Sequence, residues 1–542
     1  MNILVVIPAR GGSKGIPRKN LRQLNGRPLI YYAIKTALSS KYNPDVYVSS
    51  EDDEILYIAE QLGAQAHKRD LSISDDKTTL DPVVYACYQY AKKQENTSYD
   101  LIITIQPTSP LLKTSTLDHA IEDIVKKQNI DTVIAAKDNT HLSWRKDKGR
   151  YLPNYTERVN RQYLTPTYTE TGAFLITRSS IITPESRIGQ NVDLYILDNA
   201  EGIDIDIYED WNLCEYHLKN KHILFVVTGN DIVGLGHVYN TLIIANDILN
   251  HQVTFLADRK SRLAYKKIAS RNYPVFMQEH DDILEDIEKI SPDIVINDRL
   301  DTSMEYVCGL KALGIKTINF EDLGEGAKHA DLVINAIYPE RQMLPNHYFG
   351  HEYFILRDEF IYSSPRKFKD DVKNVLITFG GVDPNNYTKK VLESVYDYCC
   401  KHNIEITIIA GFGYRNYDSF AQFNNIHIKK NVTNISKYMS KSDLIFTSAG
   451  RTTYEVASIG TPAIILAQNE REMTHFFASS EYGFLNLSLG YNLSNDELRQ
   501  KFIALVESKE SRSYMCELMK KCDLKSGRKR VNRLIQNFLE EL

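Results

Sequence analysis

The sequence predicts an α/β protein of two or three domains built on mostly parallel sheets. Three observations carry this expectation. Short β-branched runs alternate with amphipathic helical stretches along almost the whole chain, the pattern of repeated βαβ units. At 542 residues the chain is too long for one hydrophobic core. A fresh apolar strand opens at Ile223, after a completed α/β run and the polar turn Lys219-Asn220-Lys221, which marks a domain boundary near residue 220.

In chain order, the β-branched runs predict strands at Ile3–Ile7, Asp45–Ser49, Leu101–Ile105 and Thr132–Ala135 in the first half. The second half predicts strands at Ile223–Val227, Val253–Leu256, Ile294–Ile296, Lys316–Asn319, Val375–Thr378, Glu405–Ile409 and Leu444–Thr447. The Ser-, Pro- and Lys-rich segment Tyr362–Asp370 reads as a hinge between two lobes. The expected division is therefore residues 1–219, 222–362 and 370–542, with an amphipathic last helix from about Lys525 packing back across the lobes.

Bulk properties exclude several classes. A net charge of −5, with 43% hydrophobic and 25% charged residues, fits globular protein and gives no reason to expect a nucleic-acid partner or an anionic membrane surface. No stretch approaches the roughly 18 apolar residues of a membrane span. The start, MNILVVIPARGG, lacks the basic region and cleavage site of a signal peptide. Seven cysteines without a C-x-x-C pair fit reduced thiols in a cytoplasmic protein.

The segment IPARGGSKGIPRKNL, residues 7–21, runs an apolar strand into a Gly-rich cationic loop. Gly11, Gly12 and Gly15 let the backbone approach a ligand closely, so that successive N–H groups, including that of Ser13, can cradle phosphate. Arg10, Lys14, Arg18 and Lys19 supply cations enough to balance a triphosphate. The loop is neither a Walker-type P-loop nor a G-x-G-x-x-G turn. An acidic counterpart lies at Gly202-Ile203-Asp204-Ile205-Asp206. With period two, Asp204 and Asp206 are expected on one face of a strand, where two carboxylates invite a hard divalent cation. Asp210 follows at a helix start, where it can instead serve as a cap.

With these segments in hand, residues 1 to about 215 resemble the CMP-sialic acid synthetases (N-acylneuraminate cytidylyltransferases). The likeness rests on IPARGGSKGIPRKNL, VSSEDDEI at 48–55, IQPTSPLL at 105–112, TGAFLIT at 171–177 and IDIDIYEDW at 203–211, all in the expected order. It implies a Rossmann-like nucleotidyltransferase domain, a homodimer with a swapped segment, and the substrates CTP and a nonulosonic acid (pseudaminic, legionaminic or neuraminic). It also implies that Arg10 and Lys19 hold the triphosphate, that Asn20 contacts the nucleotide, and that Arg69 and Thr79 line the cytidine side. Asp204 and Asp206 would bind Mg²⁺ or Mn²⁺. Gln106, Arg161 and Phe174 would contact the sugar acid. Thr171 and Leu112 depart from common family residues near the sugar pocket.

In the second half, Gly234-Leu235-Gly236-His237 follows a strand and places a histidine at a helix start, where it suits a general base. SAGRTTYE at 448–455 follows another strand; Ser448, Gly450, Thr452 and Thr453 offer small side chains and spare donors for a diphosphate, and Glu455 can accept ribose hydroxyls. FGGVDPNN at 379–386, with Gly380 and Gly381, is a similar turn. Residues 222 to about 540 resemble the GT-B-fold nucleotide-sugar hydrolases of pseudaminic acid biosynthesis and their spore-coat-polysaccharide relatives, through GLGHV, VINDRLD, FEDLGE, FGGVDP and SAGRTTYEVASIGTP. The resemblance implies that His237 activates water against a UDP-diacetamido-trideoxyhexose, and that Gly236 belongs to the same site. Asn240 and Tyr454 stand where that family has Arg and Asn. Two alternatives stay open for this half: a GT-B glycosyltransferase, and a noncatalytic nucleotide-sugar sensor.

Overall fold

A computed structural model describes residues 1–541 except 14, 76, 231, 232, 341–343, 365, 412 and 431. The chain forms two compact units, Met1–Asn220 and Lys221–Leu542.

The first unit is built on a seven-stranded sheet: β1 (Ile3–Pro8), β2 (Asp45–Ser50), β3 (Gln65–Lys68), β4 (Leu101–Thr104), β5 (Thr132–Asp138), β6 (Tyr168–Arg178) and β7 (Val192–Leu197). Its order is β7-β5-β6-β4-β1-β2-β3. The central strands are buried along their whole length and read as unbroken apolar runs, as expected when helices cover both faces. β6 runs antiparallel to β4 and β5, and its register shifts between Glu170 and Leu175. That bulge falls on the TGAF motif and lets Gly172 turn out toward the neighbouring loops.

The second unit contains two parallel sheets. The first holds β8 (His222–Val227), β9 (Gln252–Ala257), β10 (Val275–Met277), β11 (Ile294–Asp298), β12 (Lys316–Phe320), β13 (Leu332–Asn335) and β14 (His347–Phe349), in the order β10-β9-β8-β11-β12-β13-β14. The second holds β15 (Asn374–Ile377), β16 (Glu405–Ala410), β17 (Ile426–Lys430), β18 (Leu444–Thr447), β19 (Ala463–Ala467) and β20 (Phe484–Leu489), in the order β17-β16-β15-β18-β19-β20. This two-lobed, doubly Rossmann-like plan is GT-B-like. The order reverses at β8/β11 in one lobe and at β15/β18 in the other, and open α/β sheets bind ligands at such switch points.

Within the expected hinge, Arg366 is buried, pairs with Asp443 and donates its backbone N–H to Ile459, which fixes that stretch to the second lobe. The last helix, Gly527–Glu540, sends Val531 and Ile535 into the core of the first lobe, and Arg528 pairs with Asp247 and Asp358.

Candidate functional sites

In the first unit the glycine-rich loop leaves β1 at a switch point, beside the loop that follows β4. The loop and the acidic segment meet. A Cβ on Gly15 would lie 2.6 Å from the Asp206 carbonyl oxygen, so only glycine permits this approach. Lys19 Nζ donates to the Ile205 carbonyl at 2.5 Å and lies 3.5 Å from Asp206 Oδ1. Gly11 is less strictly constrained: a Cβ there would stand 2.5 Å from Asp52 Oδ2, a side-chain atom. Gly12 faces open space. Asn20 is buried and donates to the Arg10 carbonyl at 2.9 Å, so it shapes the loop from behind instead of reaching outward. Arg18 turns to Glu54 at 2.6 Å. Lys14 lies outside the described residues.

The acidic segment departs from expectation. Residues 203–207 form no strand; Ile205 donates its N–H to the Thr108 carbonyl at 2.8 Å, and no sheet ladder fixes the alternation. Ile203 and Ile205 still point inward, into a small core with Leu24, Leu29 and Trp211. Asp204 is consequently half-buried and Asp206 exposed, so the two differ in environment. Asp210 caps the following helix by accepting the N–H groups of Asp206 at 3.0 Å and Ile207 at 3.1 Å.

Gln106 donates its backbone N–H to the Gly172 carbonyl at 3.1 Å. The Cβ position of Gly172 lies 3.2 Å from Ser109 Oγ, 3.3 Å from Asp204 Oδ1 and 3.3 Å from Gln106 Cβ, so these residues share one corner. Phe174 corrects the sequence reading. Its ring is buried in the main core against Tyr195, because the strand after the bulge turns it inward, and it is not presented to a ligand. Arg161 and Thr79 are exposed. Arg69 is buried; it donates to the Ser49 carbonyl at 2.5 Å, and burial pulls its guanidinium below the ordinary value. Glu51, to which the sequence reading assigned no role, accepts the Gly11 N–H at 2.6 Å and stands 3.8 Å from Arg69.

In the second unit, His237 sits in the first turn of the helix Gly236–Asp247 after β8 and Asp298 ends β11, so the switch point brings them together. His237 Nδ1 bonds Asp298 Oδ1. Asn240 Nδ2 donates to Asp298 Oδ2 at 2.7 Å, and Arg451 of the second lobe donates to Asn240 Oδ1 at 2.9 Å. Gly236 serves the contact between lobes, since a Cβ there would lie 3.1 Å from Arg451 Cδ. Beside this point opens a cleft of about 970 Å³ lined by Gly234, Leu235, Tyr239, Arg357, Gly381 and Thr433, among others.

The expected diphosphate turn is only partly available. Gly381 is on the cleft wall, whereas Ser448, Gly450, Thr452 and Thr453 are not. Glu472 accepts the Ala449 N–H at 3.2 Å, and Thr453 Oγ1 turns back to the Gly450 carbonyl. Glu455 is held by Arg357 at 2.9 Å, which occupies the carboxylate expected to receive ribose hydroxyls. Gly380 has φ +76°, a conformation that favours glycine. Tyr454 is a core residue, stacked between Phe354 and Phe477 with its hydroxyl on the Ala336 carbonyl.

Comparison with known proteins decides the family of the first unit. The profile described as Cytidylyltransferase matches residues 4–152. The pseudaminic acid cytidylyltransferase of Campylobacter jejuni is 32% identical over 233 residues, covering 41% of this chain and 98% of that protein. The chain belongs to the cytidylyltransferase family. The cytidylyltransferase domain is also similar to N-acylneuraminate cytidylyltransferase A of Danio rerio, 32% identical over 222 residues, covering 40% of this chain and 50% of that protein. An uncharacterized protein of Methanocaldococcus jannaschii is 32% identical over 270 residues, covering 46% of this chain and 56% of its own length. The chain thus spans about half the length of these last two relatives. Among solved structures, Acinetobacter baumannii MurG aligns with a TM-score of 0.42 at 16% identity, over 59% of this chain and all of that one.

The cytidylyltransferase domain has a natural place for a divalent cation. Asp204 Oδ1 is buried, and among the described residues it and the Thr108 and Ser109 hydroxyl oxygens lack a well-formed hydrogen bond, although the Thr108 hydroxyl lies near enough to stabilise the carboxylate. Burial pushes the Asp204 carboxyl above its ordinary value, Asp206 adds to this, and Thr108 and Lys19 oppose it. An acceptor held under such strain is relieved by a cation, and oxygen donors suit Mg²⁺. Among the described residues no cluster of three or more His, Cys, Asp or Glu could hold a metal by itself, so phosphate oxygens would have to complete the shell. Among the described residues, no helix is long and apolar enough to cross a membrane.

Proposed function

We propose that the N-terminal domain transfers the cytidylyl group of CTP to a nonulosonic acid. The anomeric hydroxyl oxygen forms a bond to the α-phosphorus, the bond to the β-phosphate oxygen breaks, pyrophosphate leaves, and the hydroxyl proton passes to solvent. The observation that supports this reading is the junction of Lys19 and Gly15 with Ile205 and Asp206, which brings an ammonium group and a glycine of the phosphate loop against the acidic segment. Arg10 and Lys19 then counter the charge that builds on the departing pyrophosphate, the main task in phosphoryl-type transfer. Asp204 and Asp206 would hold Mg²⁺ or Mn²⁺, which when bound shields the phosphate oxygens. Gln106, which shares a corner with Gly172, Ser109 and Asp204, would contact the sugar acid. The test is to follow pyrophosphate release from CTP with Mg²⁺ and a panel of pseudaminic, legionaminic and neuraminic acids. Release with none of them would overturn the reading.

For the second unit we propose that His237 removes the proton of a hydroxyl that attacks the anomeric carbon of a UDP-sugar, releasing UDP. Asp298 accepts from Nδ1, which leaves Nε2 to act as the base. Transfer to an acceptor sugar is the first reading; the cleft beside the cluster, with Tyr239 of the His237 helix on its wall, has the volume for a nucleotide sugar, although His237 itself does not line it. Hydrolysis, with water as the acceptor, is the second reading, and the polar His237–Asp298–Asn240 cluster serves it equally. UDP release that requires an added acceptor supports transfer, and steady release without one supports hydrolysis; His237→Ala should abolish either.

A further inference from the structure

We propose that Arg451, carried by the second lobe, is a positioning residue for His237 in the first: acting through Asn240 and Asp298, it fixes the imidazole in the tautomer that leaves Nε2 free to take a proton. The proposal rests on the reading of His237 as the base of the second unit.

A guanidinium only donates and a carboxylate only accepts, while an amide does both. Arg451 Nη2 lies 2.9 Å from one end of the Asn240 amide, and Asp298 Oδ2 lies 2.7 Å from the other. The amide therefore has one workable orientation, oxygen toward Arg451 and nitrogen toward Asp298. Asp298 has no access to water, and its second oxygen is left for His237 Nδ1. With Oδ2 held by Asn240, Asp298 keeps Oδ1 turned to His237, and a carboxylate at that position requires the proton on Nδ1.

Arg451 is built into this place. Its guanidinium lies 4.5 Å over the Phe354 ring and 4.0 Å from Glu321, and Gly236 leaves room for its stem. Glu321 is itself buried, and burial pushes its carboxyl up to about 7. The groups facing the relay include Asp298 from the end of β11, Glu321 after β12, Tyr454, Glu455 and His475, with Arg451 as the cation closing the chain. The backbone of Arg451 enters the helix Thr452–Ile459, in the turn the sequence marks for a diphosphate. The lobe expected to hold the nucleotide thereby supports the base in the opposite lobe. Contacts between residues 211 positions apart in sequence join the two.

Removing Arg451 alone leaves the buried Glu321 carboxylate without its cation, and Arg451→Met can fail to fold for that reason. The informative variant is Arg451→Met with Glu321→Gln, which restores charge balance. In the full chain with ¹⁵N-labelled histidine side chains, His237 assigned by comparison with His237→Gln, long-range ¹H–¹⁵N spectra report the tautomer without any turnover. The wild type is expected to show the Nδ1–H form and the double variant a mixture of forms. With UDP-sugar as substrate, kcat should fall by about one to two orders while KM moves less than about threefold. Arg451→Lys, which keeps one donor, should restore part of the loss. A double variant that folds and retains both the Nδ1–H signal and wild-type kcat overturns the proposal. Absence of turnover in the wild type would instead count against the reading of the unit's activity, and the tautomer spectrum would still decide the relay.

Discussion

Lys19 and Asp204 show how much one side chain can carry. Lys19 spans from the phosphate loop to the Ile205 carbonyl and Asp206, so its ammonium sits where the two halves of the N-terminal site meet. Lys19→Met should lower kcat/KM for CTP by roughly two orders, or about 3 kcal/mol of transition-state stabilisation, measured by pyrophosphate release. Asp204 makes a thermodynamic prediction. Its carboxyl is raised by burial, so its contribution to stability is present below the ordinary carboxylate range and is lost as pH rises through the raised value. At neutral pH the ionised group is therefore a cost in the metal-free protein. Asp204→Asn should melt higher than wild type at pH 7 without metal, and Mg²⁺ should raise the melting temperature of wild type only. Differential scanning fluorimetry with and without chelator checks both, and equal Mg²⁺ stabilisation of the two proteins would exclude Asp204 as a ligand.

At the scale of elements, the loop after β1 depends on a close approach. Gly15→Ala would put a methyl group 2.6 Å from the Asp206 carbonyl and push the loop off the acidic segment. We expect KM for CTP to rise about tenfold or more, with a stability loss of roughly 1–3 kcal/mol, readable from CTP saturation curves and urea melts. This loop was legible in the sequence because strand, glycines and cations are contiguous. So were the strands that form unbroken β-branched runs, such as β1, β4, β8, β11 and β18. β19 escaped because VASIGTPAIILA joins a helix and a strand in one apolar stretch, where periodicity cannot separate them. β6 and β7 escaped because polar and exposed residues interrupt them. The expected strand at Asp204–Asp206 failed for a related reason: alternation reports which side chains are buried, and a loop pinned at Thr108 alternates as well as a ladder does. Asp298, Arg451 and Glu472 were invisible as partners because only the fold brings such distant positions together, although the aspartate closing VIND at a strand end was a signal available to reading.

At the scale of the molecule, each unit closes its own cores, and two consequences are testable. We propose that the cytidylyltransferase domain dimerises through its edge strand β7, whose Val192, Leu194 and Ile196 are exposed on one face. An edge that presents both apolar side chains and unpaired backbone groups invites a partner. Leu194→Lys with Ile196→Lys should convert a dimer to a monomer in light-scattering chromatography, and an unchanged mass would exclude this edge.

The end of the chain sets the second consequence. The helix Gly527–Glu540 follows the second lobe in sequence but returns to bury Val531 and Ile535 in the first, so the first lobe is not complete without it. Ile535→Ala removes side-chain bulk from a closed core and should cost about 2–4 kcal/mol. Ile535→Asp places a charge there and should unfold the first lobe, with His237 and Asp298 losing their register. Because the phosphate loop and its acidic partner lie wholly within residues 1–220, CTP-dependent pyrophosphate release should survive Ile535→Asp while UDP release from a UDP-sugar disappears. Loss of both activities would mean that the cytidylyltransferase domain depends on the second unit for its own fold.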